Sequence, residues 1–309
     1  MRGTIRFNVL TERDCIVGDV GWERAGSAIT ERDMSYLKLY FERHYHLNRE
    51  KALRDAIRIV ANENRFHPIQ EYLQALRWDG QPRIQHALHR FLGAEECQFN
   101  TECLKIFMLG AISRVFHPGI KFELMLCLVG SQGVGKSSFF RLLAVRDEWF
   151  SDDLKKIDDD NVYRKMQGHW IIEMSEMLAT ASAKSIEEIR SFISRQKETY
   201  KVPYDIHPED RPRQCVFAGT SNSLDFLPLD RAGNRRFLPV MVEPDKAEVH
   251  ILENETASRA YIEQMWAEAM TIYHSGDFRL SLPKKLEEEA RNRQKAFMPE
   301  DTTSGRIQC

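Results

Sequence analysis

Residues 130–137 read Gly-Ser-Gln-Gly-Val-Gly-Lys-Ser, the G-x-x-x-x-G-K-[ST] spacing of a phosphate loop. The preceding run, 122–129, is apolar and has the length of a buried strand, and 138–144 suits a helix. A strand, a glycine-rich turn and a helix in that order direct this chain toward an α/β fold built around an anion site. Gly130, Gly133 and Gly135 let backbone N–H groups approach phosphates, and the helix N-terminus adds a favourable dipole. Ser131, Gln132, Val134 and Ser138 complete the expected cradle. Lys136 is expected to reach the β- and γ-phosphates, and the Ser137 hydroxyl to ligate Mg²⁺.

A length of 309 residues allows about two domains, and 42% hydrophobic with 29% charged residues is the balance of a soluble globular chain. No apolar run approaches the ~18 residues of a membrane span. The first residues lack a signal-peptide segment. The six cysteines are scattered without a C-x-x-C pair, which fits a reducing cytoplasm and argues against a zinc site. A formal charge of −2 means that any nucleic-acid contact must come from a local basic patch.

Strands are expected at 4–10 and 14–22. Thr30 through Asp33 looks like a capping box opening a helix to about 45. Asn48 is expected to cap a helix over 49–64, and Pro68 to start another through Leu76. A turn at 78–82 and helices near 84–92 and 98–116 complete a mostly helical N-terminal region, 1–118, with a short β segment. From 119 to 245 the pattern changes to short apolar strands at 123–129, 169–173, 215–219 and 236–242, separated by helices. That alternation predicts a largely parallel sheet covered by helices, with ligands at the strand C-termini. The segment 246–309 returns to helix, with Trp266, Ala267, Met270 and Tyr273 spaced for one face.

Further candidates lie beyond the loop. Residues 169–173, His-Trp-Ile-Ile-Glu, form an apolar strand ending in an acid. Glu173 and Glu176 are the candidates to hold Mg²⁺ and to activate the attacking water, and the sequence does not divide these duties between them. Asn222, after a strand at 215–219, is placed to contact that water or the γ-phosphate; a turn or helix cap is the other reading. Arg235 and Arg236 precede the last strand, where one guanidinium suits a finger into a neighbouring subunit's site and an exposed charged turn is the bland reading. Arg190, Arg195, Lys197 and Lys201, interleaved with Tyr200 and Tyr204, suit a single-strand contact on a hairpin over 199–215. Glu187, Glu188 and Glu198 dilute that charge, so a solvated face is equally compatible.

Taken together, these motifs resemble the virulence-associated protein E family of phages, prophages and mobile islands. The likeness is carried by the phosphate loop, Trp170-Ile-Ile-Glu-Met-Ser-Glu176, Tyr200-Lys-Val-Pro-Tyr204, Thr220-Ser-Asn222 and Asp230-Arg-Ala-Gly-Asn-Arg-Arg-Phe237. Upstream, Phe66-His-Pro-Ile-Gln-Glu-Tyr-Leu73 and Trp78-Asp-Gly80 join it. It spans about 60–300. The resemblance implies an AAA+ P-loop ATPase related to superfamily 3 helicases, working as a hexameric ring around DNA during replication of the element, with partner proteins. By that analogy Lys136 and Ser137 are the Walker A residues. Glu173, alone or with Glu176, does Walker B chemistry, Asn222 is the sensor, and Arg235 or Arg236 is the finger. Arg195, Lys197 and Lys201 would meet single-stranded DNA in the pore. Relatives often carry Thr where this chain has Ser138 and Ala232, which changes little. Many also carry an upstream primase domain, for which this chain has no room, so priming is not expected.

The expectation is therefore a Mg²⁺-dependent, ATP-hydrolysing DNA motor. Two alternatives stay open: a P-loop switch that assembles on a replication or defence partner without unwinding, and a small-molecule P-loop kinase.

Overall fold

The computed structural model describes residues 3–154, 157, 162–175, 183–200, 209–227 and 234–298. The chain divides into two units, Met1–Tyr72 and Leu73–Cys309.

In the first unit, β1 (Ile5–Asn8) pairs antiparallel with β2 (Arg13–Ile16) and parallel with β3 (Arg65–Phe66). The first two strands are shorter than the expected 4–10 and 14–22, and β3, at two residues, offers no periodicity to read. α1 (Glu31–Tyr45) opens on the expected capping box. The Asp33 N–H donates to Thr30 Oγ1 at 3.3 Å, and the Thr30 N–H donates to Asp33 Oδ2 at 2.9 Å. Trp22 and Arg24 also donate to Asp33, at 2.9 and 2.8 Å. Burial raises this carboxyl, but those bonds together hold it well below the usual carboxylate range. α2 (Glu50–Glu63) is entered through Arg49 rather than Asn48, because the last extended residue is Arg49, which makes no side-chain cap bond. α3 (Pro68–Ala75), within which the division after Tyr72 falls, starts at the expected proline. Ile5 and Ile16 pack with Met34, Leu37, Ile57 and Ala61, the last four at i,i+3 and i,i+4 spacing on their helices.

The second unit runs α4 (Ile84–Leu92), α5 (Gln98–Phe116), β4 (Met125–Val129), α6 (Lys136–Leu143), β5 (Phe150–Ser151), α7 (Val162–Met166), β6 (Ile171–Ser175), α8 (Ala183–Ile193), β7 (Lys197–Tyr200), β8 (Glu209–Pro212), β9 (Val216–Ser221), β10 (Phe237–Met241), α9 (Glu255–Ser275) and α10 (Lys284–Ala296). Five of these strands form one parallel sheet in the order β10-β4-β9-β6-β5, flanked by helices. The fold is thus mixed α/β, as the strand and helix alternation predicts. The two-residue edge strand β5 was too short to read from the sequence. The helical segment expected over 246–309 holds two helices among the described residues. Gly276 ends α9 in the left-handed region at φ 71°, and Pro283 precedes α10.

The division after Tyr72 places α4 and α5 with the sheet, not with an N-terminal region ending at 118. The physical reason is α5, which is buried on nearly every side rather than along one stripe. Its Arg114 is enclosed and donates to the carbonyls of Cys215 and Phe122 at 3.1 and 2.5 Å; burial pulls this guanidinium down to about 10. The Trp170 indole donates to the Ala111 carbonyl at 3.1 Å and stacks on Trp266 at 4.4 Å between ring centres. The Trp266 indole in turn donates to the Leu143 carbonyl at 2.9 Å. These contacts tie α5, the start of β6, α9 and the end of α6 into one core, each buried ring also satisfying its N–H. Among the described residues no helix is long and apolar enough to cross a membrane.

Candidate nucleotide site

The phosphate loop leaves the C-terminal end of β4, which lies between β10 and β9. The chain must pass very close to β10 there. A Cβ on Gly130 would stand 2.3 Å from the Val242 carbonyl oxygen, so only glycine fits without a shift. Gly135 is the N-cap of α6 at φ 90°, in the left-handed region. The loop residues 132–138 line a cavity of about 460 Å³ with Ser175, Thr220, Ser221, Asn222, His250 and Leu252.

Lys136, the first residue of α6, is buried. Its ammonium donates to the carbonyls of Gly130 and Ser131, both at 2.7 Å, and to Asn222 Oδ1 at 2.9 Å. Three donors thus find three neutral acceptors, and burial lowers the lysine's pKa from its usual range, with the charge of Glu173 opposing.

Parallel register brings the acid to this lysine. Glu173 on β6 pairs with Ala218 on β9, and Ser175 with Thr220. Glu173 is fully buried. Its Oε1 accepts from Ser137 Oγ at 2.8 Å and from Thr220 Oγ1 at 2.5 Å, while Oε2 has no protein partner. Burial raises this carboxyl above the ordinary glutamate value, with the two hydroxyls and Lys136 opposing. An orphaned carboxylate oxygen in a buried site is costly unless something else occupies it. A hard divalent cation fits: Glu173 and Ser137 offer adjacent oxygens, and Mg²⁺ is commonly held by one or two protein oxygens plus substrate phosphates. No group of three or more His, Cys, Asp or Glu that would hold a metal occurs among the described residues.

Lys136, Ser137, Glu173 and Asn222 therefore lie together, and the strand that carries Glu173 needs one correction. Glu173 does not end its strand; Met174 and Ser175 follow in β6, so the carboxylate sits inside the sheet edge rather than in solvent. Glu176 and Lys201 lie outside the described residues. Thr220 was visible in the sequence only as part of a motif, and its role arises from the register of β9 against β6. Ser175 likewise appeared only inside a motif, and His250 carried no sequence signal.

Arg235 and Arg236 do not line this cavity. They sit in the single turn before β10, which the Gln294 side chain pins by donating to the Asn234 and Phe237 carbonyls at 2.9 and 2.8 Å. Arg236 is half-buried and spends its guanidinium on Ser194 Oγ at 2.8 Å and Glu123 at 3.6 Å. Arg235 is exposed. Of the proposed basic contact, Arg190 is buried and donates to Asn234 Oδ1 at 2.7 Å. Arg195 reaches the Tyr163 hydroxyl at 3.1 Å and lies 3.7 Å from Glu198. Lys197 pairs with Asp210 across β7 and β8, which are antiparallel. These strands, 197–200 and 209–212, replace the expected hairpin bounds of 199–215.

The sequence model of the virulence-associated protein E-like domain matches residues 73–299. Among solved structures, the A form apo structure of the NrS-1 C-terminal region is 12% identical, with 96% of this chain and 72% of that one covered and a TM-score of 0.56. A second A form apo structure of that region is 13% identical, covering 95% and 71%, with a TM-score of 0.49. At such identity the first of these likenesses speaks for the fold alone. A comparison with curated proteins found no match.

Proposed function

The chain belongs to the virulence-associated protein E-like family, and on that premise we propose that it is a Mg²⁺-dependent ATPase driving a helicase-like motor in the replication of a phage or mobile element. The observation that carries the reading is the cluster of Lys136, Ser137, Glu173, Thr220 and Asn222 at the C-terminal edge of a parallel sheet, around a glycine loop. An AAA+ core is the finer form of this fold that the arrangement supports. Lys136 exchanges the Gly130 and Ser131 carbonyls for β- and γ-phosphate oxygens, which gives it charged acceptors in place of neutral ones. Ser137 and Glu173 hold Mg²⁺, which when bound neutralises charge between those phosphates. Asn222, already tied to Lys136, orients the water or the γ-phosphate. Glu173 or Glu176 takes the proton from the attacking water.

Among the described residues lining the cavity there is no arginine. The developing charge of the transition state then calls for a guanidinium from another subunit of a ring. Arg235 is the better candidate, since Arg236 is engaged within its own chain. In this reading residues near Lys197 and Lys201 meet single-stranded DNA. Mixing subunits tests the assembly. Arg235→Ala is expected to lower the hydrolysis rate by about 10³-fold or more, the usual worth of a finger. Arg236→Ala is expected to lower stability instead, by loss of its contacts to Ser194 and Glu123. Mixing Arg235→Ala subunits, which keep Lys136, with Lys136→Ala subunits, which keep Arg235, should recover part of the activity. Full activity of Arg235→Ala alone would defeat the trans-finger reading.

A further inference from the structure

A second cavity, of about 140 Å³, adjoins the first. Its walls come from the C-terminal half of α4, the segment before α9 and the first turns of α9, and His250 lines both cavities. The imidazole stands over the phosphate loop: a Cβ on Gly135 would lie 3.3 Å from His250 Nε2. His250 Nδ1 accepts from the Leu252 N–H at 3.3 Å. A neutral ring so bonded carries its proton on Nε2, on the side of the loop, and presents a donor there.

The lining of the smaller cavity suits a flat heteroaromatic group. Phe91 and Tyr261 meet edge to face, 5.3 Å apart at 89°. The Arg90 guanidinium lies 5.3 Å from the Tyr261 ring centre and is held by Glu248 at 2.6 Å. Rings and a delocalised cation attract a π-system on its faces. Polar groups of both kinds line the same space. Asn254 caps α9 by accepting from the Ala257 N–H at 3.0 Å through Oδ1, which leaves its amide N–H₂ to donate. Glu253 adds a carboxylate acceptor. A donor beside an acceptor matches the mixed edge of a nucleobase, and the volume suits one base rather than a larger ligand.

We propose that this second cavity binds the base of the nucleotide, with His250 donating to the ribose at the junction; the proposal rests on the phosphate-site reading above. The test uses the full chain and a ribose-labelled fluorescent ATP, displaced in turn by ATP and by inorganic tripolyphosphate. ATP should displace the label at least 10-fold more effectively than tripolyphosphate. Ala257→Phe fills the cavity from an exposed position on α9 and should weaken ATP about 10-fold while leaving tripolyphosphate unchanged, which also reports that the variant is folded. His250→Ala should weaken ATP in the same selective way and serves where the larger side chain is not tolerated. Equal competition by ATP and tripolyphosphate in the unaltered protein, or an ATP affinity indifferent to both substitutions, overturns the base site. The two readings fail differently: Lys136→Ala should weaken both competitors, and if it weakened neither, the phosphate site would fall first.

Discussion

Lys136→Ala is expected to reduce ATP hydrolysis by about 10²–10⁴-fold. The ammonium is buried at the loop and holds three acceptors, two of them carbonyls of the loop itself. With phosphate bound, two of those bonds run to anionic oxygens, each worth roughly 1.5–3 kcal/mol, and alanine forfeits both. Nothing else lining the cavity among the described residues supplies a replacement cation. The variant should still fold, because the sheet and the α5 core do not depend on the lysine. Its loss therefore appears in the ligand response. At nucleotide about 100 times above Kd the unaltered protein gains ~2.7 kcal/mol of stability, and the variant gains almost none. Thermal melts with and without Mg-ATP, beside a hydrolysis assay, check both parts.

Glu173→Gln lowers Mg-nucleotide binding and turnover together and carries a pH signature. The amide oxygen can still accept from Ser137 and Thr220, so the local geometry is retained. Without the Glu173 carboxylate the site holds Mg²⁺ poorly and loses one of its two candidate bases, and hydrolysis should fall by about 10²–10³-fold, within the range for loss of acid–base catalysis. Stability without ligand should move the other way. Burial raises the Glu173 carboxyl above the ordinary value of 4.5. A group raised on folding contributes stability that is fully present below its unfolded pKa and is lost as pH climbs through the folded one. The unaltered protein thus loses stability from about pH 4.5 upward, and glutamine does not. At pH 7–8 Glu173→Gln should melt about 2–4 °C higher without ligand, the shift that ~1 kcal/mol produces in a domain of this size. The gap should close near pH 4. Adding Mg-nucleotide should reverse the order at pH 8, since the cation needs the ionised carboxylate. Melting curves across that pH range, with and without ligand, provide the check.

The parts of this site that were legible in the sequence are those written in contiguous residues. The loop is one octapeptide, and its strand and helix flank it directly. Glu173 was legible because an acid near the end of an apolar strand is a local pattern. That it lies within the strand, fully buried, depends on how far β6 stays paired with β9, which is a tertiary matter. Arg235 and Arg236 are indistinguishable as neighbours in a turn, and only the positions of Ser194 and Glu123 separate them. The sequence does not say which unit α5 packs with, because a helix apolar all round announces burial without naming its partner. His250 was invisible because the segment between β10 and α9 has no periodicity, and its place over Gly135 follows from how β10 returns past the loop.

The most direct measurement of the central claim is the steady-state rate of ATP hydrolysis in Mg²⁺, with and without single-stranded DNA, over a series of salt concentrations. The account predicts hydrolysis that DNA stimulates and that salt weakens by releasing the backbone contact. A rate that DNA leaves unchanged at every salt concentration would contradict the motor, and return the switch and the kinase as the readings to test.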